Sequence, residues 1–512
     1  KYTMDNGKLD ESEEVYEYIQ CIICPVSLEK PGLEYNEEEN AITPINRDWI
    51  VGNPNVAFIY PAFIDRSADR DRVMYYTKDA TCTHKEIMKD ILNCKVEYTV
   101  LAGDQYQTTI NSSIKANTAP DLFALPSGVK LSTAVEEGWY MPMNDYVEDG
   151  FFDTFAEGAL NEGITTMDGQ VYVLPESANI VNTLVFYNKN VLEDAGVDTE
   201  NLPKTWSEFR EVCKQVTEAG KGKYYGMIEG GKQVNRLEIA IRALSCLAGS
   251  KSNDIGVISM VDGKNVLNSD AMIQAFDFYS GLVQDGSFHP DSVNLAAPEA
   301  RALFAQNQAA FLIQGSWCIS TWEKENPELE FGVMEMPVPD DGAKGGLPYI
   351  GAQPWMGISK TSENPELAAK YLQGLYSEEY QAGVVEDGGF VSAVKGVNEK
   401  YMKDGVMKDY YTLALEQGKL CPDPIVGNAD AAVVYANITE ISPNLGQIVQ
   451  GTLTGKTDYK DTLKTLAENT QKEWENGIKK AQEAGAEVSA ADFEFKNWNP
   501  LEDYTAEDYQ NK

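Results

Sequence analysis

Histidine is scarce in this chain, which has only His84 and His289 among its 512 residues. His289 precedes Pro290 in a predicted turn, which favours a solvated loop residue over a general base. The sequence contains no Walker loop, HExxH motif, dinucleotide fingerprint or G-x-S-x-G elbow. Carboxylates are so numerous that no pair stands out as a glycosidase acid and nucleophile. We therefore expect no catalysis and no cofactor.

Basic residues are also in short supply, since 42 lysines and arginines face 80 aspartates and glutamates, a net charge of −38 at pH 7. Such a surface repels nucleic acids and anionic lipids, so we expect neither as a partner. No apolar run reaches the roughly 18 residues that a membrane span needs. The chain starts at Lys1 without a basic and apolar leader, so we expect any export signal to be cleaved or not included.

The eight cysteines do not form a recognisable metal site. Cys21 and Cys24 have the spacing of half a zinc or redox motif, but Cys82, His84 and Cys94 do not supply a matching second pair. We therefore favour two thiols without a metal. A chain of this length does not need disulfides, so buried free thiols are expected at the other four positions, Cys213, Cys246, Cys318 and Cys421.

Two short apolar runs are predicted to be strands. The first, 171–174, is rich in β-branched and aromatic residues and ends at Pro175. The second, 184–187, is equally short and is flanked by polar turn residues, which is typical of a buried strand.

A helix is predicted to follow these strands. Thr205 and Glu208 have the spacing of a capping box, in which each side chain accepts a hydrogen bond from the backbone of the other. Trp206, Phe209, Val212 and Val216 then repeat at helical spacing, and Gly220 is the expected stop.

The order of these pieces resembles the extracellular solute-binding proteins of ATP-driven sugar importers, the family that includes maltose-binding protein. The matching block reads G-x-x-Y-x-x-P, then YNK, then AGV, then P-x-TW-x-E. Beyond this block, the resemblance to the family covers most of residues 95–512. The pieces that carry the block are Gly169 to Pro175, Tyr187 to Lys189, Ala195 to Val197 and Pro203 to Glu208.

Residues 1–94 do not share this resemblance. They are similar to part of a bacterial family of unknown function, and they stand where the solute-binding family has its first strand and helix. We therefore interpret the chain as a chimera, from gene fusion or mis-assembled sequence, with a junction near Cys94 and Lys95. Alternatively, 73–77 and the amphipathic 83–92 replace the missing strand and helix.

The resemblance implies an α/β protein with a two-lobed, type II periplasmic-binding-protein-like fold and an additional amino-terminal α+β segment. Lobe one is expected over 95–182 and 345–398, and lobe two over 183–342 and 399–512. Segments near 181–187 and 340–350 would cross between them. The family binds its solute in the cleft and closes by hinge motion.

The implied function is extracellular binding of a sugar or oligosaccharide and its delivery to the permease of an ABC transporter. A monomer, lipid-anchored at the outer face of the cell membrane, is expected. No metal is expected. Three alternatives stay open: a carbohydrate-active enzyme, a binding protein for a peptide or another solute, and an amino-terminal interaction or metal module on a scaffold.

Sugar binding calls for flat aromatic rings that stack on the pyranose and polar groups that pair with its hydroxyls. Trp317 matches the family position where an aromatic ring stacks on the ligand, and Trp355 is expected from the other lobe. Core packing is the alternative for both tryptophans, and Trp206 is predicted to be core. The polar candidates, each of which could instead be a capping or solvated residue, are Asp104, Glu176, Asn182 and Glu229.

Overall fold

The computed structural model describes residues 103–126, 129–178, 180–181, 183–253, 256–351, 354–386, 391–455 and 458–511, together with the backbone of four short strands nearer the amino terminus. The predicted strand 73–77 and the whole of the predicted helix 83–92 lie outside the described residues. The same holds for Cys24, Cys82, Cys94 and His84.

The strands of the described residues are short, as expected for an α/β protein. They are β1 (Gln20–Ile23), β2 (Leu33–Asn36), β3 (Ala41–Pro44), β4 (Glu97–Val100), β5 (Leu122–Ala124), β6 (Thr166–Met167), β7 (Gln170–Val171), β8 (Val173–Pro175), β9 (Leu184–Asn188), β10 (Tyr225–Met227), β11 (Ala309–Gln314), β12 (Phe331–Met334), β13 (Leu347–Tyr349), β14 (Pro354–Ile358) and β15 (Gly418–Leu420).

The helices of the described residues fill most of the sequence between the strands. They are α1 (Gly103–Lys115), α2 (Leu131–Glu136), α3 (Lys189–Asp194), α4 (Trp206–Gly220), α5 (Val234–Leu247), α6 (Asp270–Gln284), α7 (Ala297–Ala305), α8 (Cys318–Glu325), α9 (Pro365–Leu375), α10 (Glu378–Glu386), α11 (Val397–Tyr401), α12 (Val406–Gln417), α13 (Pro424–Gly427), α14 (Ala431–Ala436), α15 (Leu445–Leu453), α16 (Tyr459–Glu483) and α17 (Ala506–Gln510). The described residues also contain three 3-10 turns, which are Phe152–Thr154, Ser292–Asn294 and Ala490–Phe493.

The chain divides into two compact units. The first unit consists of Lys1–Asn179 and Ala352–Lys403, and the second consists of Ile180–Gly351 and Asp404–Lys512. The chain therefore passes between the units three times. The bounds of the two lobes that were inferred from the sequence stay a prediction.

The first unit contains a five-stranded sheet with the order β4-β1-β5-β14-β8. Strand β1 runs parallel to β4 on one side and to β5 on the other, with Ile22 opposite Thr99 and Phe123. Strand β14 is antiparallel to β5 and to β8. The strand that the sequence analysis expected to be missing is thus supplied by Gln20–Ile23. This is an apolar run suited to a position with a neighbour on each side.

The second unit contains a four-stranded sheet with the order β10-β11-β9-β12. Strands β10 and β11 are parallel, whereas β9 is antiparallel to β11 and β12. All six residues of β11 are buried, and the core of this unit forms where β11 and β9 meet the inner faces of α4, α5 and α6. The predicted strand 184–187 is confirmed as β9, one residue longer.

Helix α4 begins as the sequence predicts. The hydroxyl of Thr205 accepts a hydrogen bond from the Glu208 backbone nitrogen at 3.4 Å, and the Glu208 carboxylate accepts one from Thr205 at 3.1 Å. The end of the helix differs from expectation, because the left-handed residue is Lys221, with φ of 48°, and not Gly220. Gly220 is buried where a Cβ atom would collide with the Tyr224 ring, so packing explains this glycine.

The structure describes the side chains of four cysteines, and all four are buried and free, as predicted. They are Cys213, Cys246, Cys318 and Cys421. Helix α9 begins at Pro365, and its buried residues include Leu367, Tyr371 and Leu372. Within the part of the chain that the structure describes, no helix has both the length and the apolar character of a membrane span.

Candidate functional site

Trp317 lies in the second unit at the turn between a buried strand and a helix. Strand β11 ends at Gln314, and Trp317 caps the amino terminus of α8. Its indole is partly buried and packs against the core of the unit. A Cβ atom at Gly315 would overlap the six-membered ring of the indole, so only glycine leaves space for the ring there.

Arg236 contacts the Trp317 ring and was not identified from the sequence. Its guanidinium carbon lies 5.0 Å from the ring centroid, within the range of a cation–π contact. Arg236 stands in the first turn of α5, on a chain segment remote from Trp317. An arginine at the start of an apolar helix is a weak indication of a site, and no pattern in the sequence connects it with Trp317.

Glu229 follows strand β10 and is buried, with 4% of its surface exposed. Its backbone nitrogen donates a hydrogen bond to Ser292 Oγ at 3.2 Å, whereas its carboxylate oxygen Oε1 is buried without a hydrogen-bond partner. Burial raises the pKa of Glu229 to about 8, and the nearby Arg236 and the Gly230 backbone oppose that rise. The side chain is therefore predominantly a neutral acid at pH 7, and it can donate a hydrogen bond.

Two further buried polar side chains lie near these groups. The Tyr279 hydroxyl has no hydrogen-bond partner, and burial together with the neighbouring Glu229 raises its pKa well above the ordinary value. The Tyr410 hydroxyl donates to the Val181 carbonyl oxygen at 3.0 Å. The second unit thus gathers an aromatic ring, a guanidinium and a protonated carboxyl in one region, all of which suit a polar solute with apolar faces.

In the first unit, Glu176 directly follows strand β8 and is partly buried. Burial raises the pKa of Glu176 to about 7, so neutral and charged forms coexist near neutral pH. The neighbouring Tyr376 donates a hydrogen bond to the carbonyl oxygen of Pro175. In either form the Glu176 carboxyl can make a hydrogen bond to a solute hydroxyl. Its role in binding stays a prediction.

Trp355 lies within β14 and is 7% exposed, at an irregular point of the pairing with β8. Its carbonyl oxygen accepts a hydrogen bond from the Leu125 backbone at 2.7 Å. This burial favours the packing alternative for Trp355, and a contact with a solute stays a prediction. Asp104 is the second residue of α1, where only the backbone is described, and Asn182 lies outside the described residues.

The expectation that His289 is a solvated loop residue is wrong. It is buried, with 7% of its surface exposed, because its ring fits between Tyr225 and the Gln308 side chain. Nδ1 accepts a hydrogen bond from the Asp291 backbone at 3.2 Å, which leaves Nε2 to donate to Gln308 Oε1 at 3.3 Å. Both ring nitrogens of His289 therefore make hydrogen bonds within the protein, as is typical of a buried structural histidine.

Comparison with known protein families identifies the family of this chain. Residues 83–382, more than half of the chain, match the family described as bacterial extracellular solute-binding protein. The chain belongs to this family. The resemblance recognised from the YNK and TW-x-E motifs is therefore confirmed.

The amino-terminal part of this solute-binding protein also matches a second family. Residues 1–126 match one described as a domain of unknown function. The resemblance predicted for 1–94 is confirmed and reaches further, since 83–126 match both families. The shared range contains β4, α1 and β5, so the two matches meet inside the first sheet and not at Cys94. That the chain is a chimera stays a hypothesis.

Curated relatives cover most of the solute-binding protein at low identity. A protein of Brucella abortus (strain 2308), named only as a binding protein, is 25% identical over 373 residues, which cover 73% of this chain and 84% of the relative. The sn-glycerol-3-phosphate-binding periplasmic protein UgpB of Rhizobium meliloti (strain 1021) is 23% identical over 402 residues, 75% of this chain and 88% of the relative.

Solved structures confirm the fold class. The apo form of RafE from Streptococcus pneumoniae matches with a TM-score of 0.56 and 16% identity, over 78% of this chain and 96% of RafE. The substrate-binding protein Lmo0181 from Listeria monocytogenes, solved with cycloalternan, matches with a TM-score of 0.54 and 19% identity, over 76% and 94% of the two chains. The type II periplasmic-binding-protein-like fold predicted from the sequence is therefore correct.

Proposed function

We propose that this solute-binding protein binds a sugar or oligosaccharide outside the cell and delivers it to the membrane subunits of an ABC importer. The observation that carries the proposal is the arrangement of Trp317, Arg236 and Glu229 in the second unit. An aromatic ring takes the apolar face of a pyranose, while a guanidinium and a carboxyl take its hydroxyls.

The solved structures support a carbohydrate as the solute. The Listeria protein is a complex with cycloalternan, and another similar structure, with 21% identity, is described as a chitin oligosaccharide binding protein. These likenesses show the fold alone, so the sugar itself has to be tested on this chain.

We expect the protein to release its solute unchanged. The sequence shows no catalytic motif, and both ring nitrogens of His289 are engaged in hydrogen bonds within the described structure. We further propose that the protein acts as a monomer and is held at the outer face of the membrane by a lipid anchor. Hinge closure around the solute would present the loaded form to the permease.

The proposal is tested by titration calorimetry of the purified protein against a panel of neutral mono- and oligosaccharides. Each sugar is also incubated overnight with the protein and analysed by chromatography. Saturable binding without new products supports transport, whereas new products would favour a carbohydrate-active enzyme. Trp317→Ala should weaken binding by roughly tenfold or more while the protein stays folded. Failure of every sugar to bind would refute the carbohydrate assignment.

A polyol phosphate is the second candidate solute. The relative UgpB is named for binding sn-glycerol-3-phosphate, and the Arg236 guanidinium is suited to phosphate oxygens. Adding sn-glycerol-3-phosphate to the calorimetry panel separates the two candidates. Binding of this ligand with no response to any neutral sugar would favour the phosphate.

A further inference from the structure

The Trp317 indole is restricted by two residues that come from different parts of the second unit. Gly315 lies against the six-membered ring so closely that no side chain fits between them. Arg236 lies over the ring, with 5.0 Å between the guanidinium carbon and the ring centroid. A ring held by a glycine backbone and a guanidinium has little freedom to change rotamer.

Arg236 also acts electrostatically on Glu229, the buried carboxyl that the sequence analysis selected. Glu229 lies close enough for the guanidinium to oppose the effect of burial on its pKa. Three more groups act electrostatically on Arg236, namely Tyr410, Cys318 and Arg301. Of these, Cys318 directly follows Trp317 in the chain. One guanidinium therefore connects the aromatic candidate to the acidic candidate.

We propose that Arg236 is a positioning residue of the solute site, which fixes the Trp317 indole by stacking and the Glu229 carboxyl by charge. This inference rests on the proposed function and adds a residue to it. Arg236 sets the orientation of the ring that meets the sugar, and its charge favours the ionised form of Glu229 against the effect of burial. Arg236 thus acts both on the aromatic ring that would stack on the sugar and on the carboxyl that would bind its hydroxyls.

Two substitutions separate the two roles. Arg236→Lys keeps a positive charge near Glu229 but loses the planar group that stacks on the indole. Arg236→Gln loses both the charge and the stacking. The matched control is Arg210→Gln, because Arg210 is also an arginine of the second unit, is paired with Asp285 at 2.7 Å and has a partly exposed side chain.

Three measurements are made on each full-length variant. The first is the affinity for the tightest sugar of the panel. The second is the fluorescence contributed by Trp317, taken as the difference from the same protein carrying Trp317→Phe, since the chain has eight tryptophans. The third is the titration midpoint of Glu229, followed by carboxyl carbon NMR against a Glu229→Gln reference.

Arg236→Gln should lose about tenfold or more in affinity, shift the Trp317 spectrum and raise the Glu229 midpoint, because the guanidinium lowers it. Arg236→Lys should shift the spectrum and leave the midpoint close to that of the wild type. Arg210→Gln should change none of the three. The proposal is overturned when Arg236→Gln leaves the Trp317 spectrum and the Glu229 midpoint unchanged.

The failure of the proposed function is distinguishable from the failure of this inference. The spectrum and the midpoint are measured without any solute, so they report on Arg236 even when no sugar binds. A wild-type protein that binds sugar while Arg236→Gln binds it equally well refutes the positioning role alone.

Discussion

Ile22 of β1 lies in parallel register with Thr99 of β4. Both residues fall within the match to the domain of unknown function, whereas Thr99 alone also falls within the solute-binding match. Strand β1 also pairs with β5, so its backbone donates and accepts hydrogen bonds on both sides. Without β1, the facing edges of β4 and β5 would lose their partners. The amino-terminal segment is therefore part of the first unit and not an appendage to it.

The variant Ile22→Pro tests this role. Proline cannot donate to the ladder and is tolerated mainly at sheet edges, so a proline in a central strand breaks the pairing. We expect Ile22→Pro to lower the free energy of unfolding by about 1–3 kcal/mol, the cost of unsatisfied buried backbone groups. Urea unfolding followed by circular dichroism measures this change.

The control is Ile42→Pro, because Ile42 lies in the pair of β2 and β3, which has no third strand among the residues that the structure describes. It should cost clearly less than Ile22→Pro. Equal costs, or no cost at Ile22, would show that β1 does not support the sheet.

The pH dependence of stability should reflect Glu229. Its pKa is about 8 when folded and near the ordinary 4.5 when unfolded, so the folded state holds a proton that the unfolded state has lost in this range. The contribution of this group is full below about pH 4.5 and is lost as the pH rises towards 8, at up to about 1.4 kcal/mol per pH unit. Glu229→Gln should remove the part of the slope that Glu229 contributes, which urea unfolding between about pH 5 and pH 9 would detect.

Glu208→Gln is the opposing control. Hydrogen bonds from the Lys204 and Thr205 backbone lower the pKa of Glu208, so its contribution is present at neutral pH and is lost on acidification. The Glu208 variant should flatten the acidic limb and leave the alkaline limb as in the wild type. Part of the alkaline slope should persist in Glu229→Gln, because Glu176 titrates in the same sense up to about pH 7. An unaltered alkaline slope in Glu229→Gln would contradict the assignment.

Features set by neighbouring residues were predictable from the sequence, and features set by distant residues were not. The capping box of Thr205 and Glu208 acts within one helical turn, so its spacing alone identified it. Trp317 was placed by a family motif. The Arg236 contact joins two segments that no local pattern relates, and it was missed.

The errors follow the same rule. His289 was expected in solvent because His-Pro favours a turn, but its burial depends on Tyr225 and Gln308, which come from other parts of the chain. The first strand was expected to be missing because Gln20–Ile23 lies far upstream of its partners. Parallel pairing allows such a separation, and the order of strands in a sheet is not written in any local periodicity.

Gly315→Ala should disturb the candidate site through Trp317. A methyl group at Gly315 overlaps the indole, so the ring has to leave its present position beside Arg236. Overpacking of this kind costs about 1–3 kcal/mol of stability, and the displaced ring should lower sugar affinity by about tenfold. Calorimetry measures the affinity, and urea unfolding measures the stability.

Ser316→Ala, a change of similar size one residue later, is the control and should leave affinity within about twofold. Tight binding by Gly315→Ala would mean that the indole position does not matter.

The carboxyl-terminal segment should stabilise the second unit through Tyr509. The Asp423 backbone nitrogen donates to the Tyr509 hydroxyl at 2.7 Å, and Asp423 is 5% exposed. Tyr509→Phe removes the acceptor and leaves a buried donor unsatisfied, which should cost about 1–3 kcal/mol. Tyr401→Phe is the matched control, because the Tyr401 hydroxyl donates to Glu378 at the exposed surface, where its loss should cost less than about 0.5 kcal/mol. Urea unfolding compares the two variants, and a cost at Tyr509 no greater than that at Tyr401 would show that the segment contributes little to the unit.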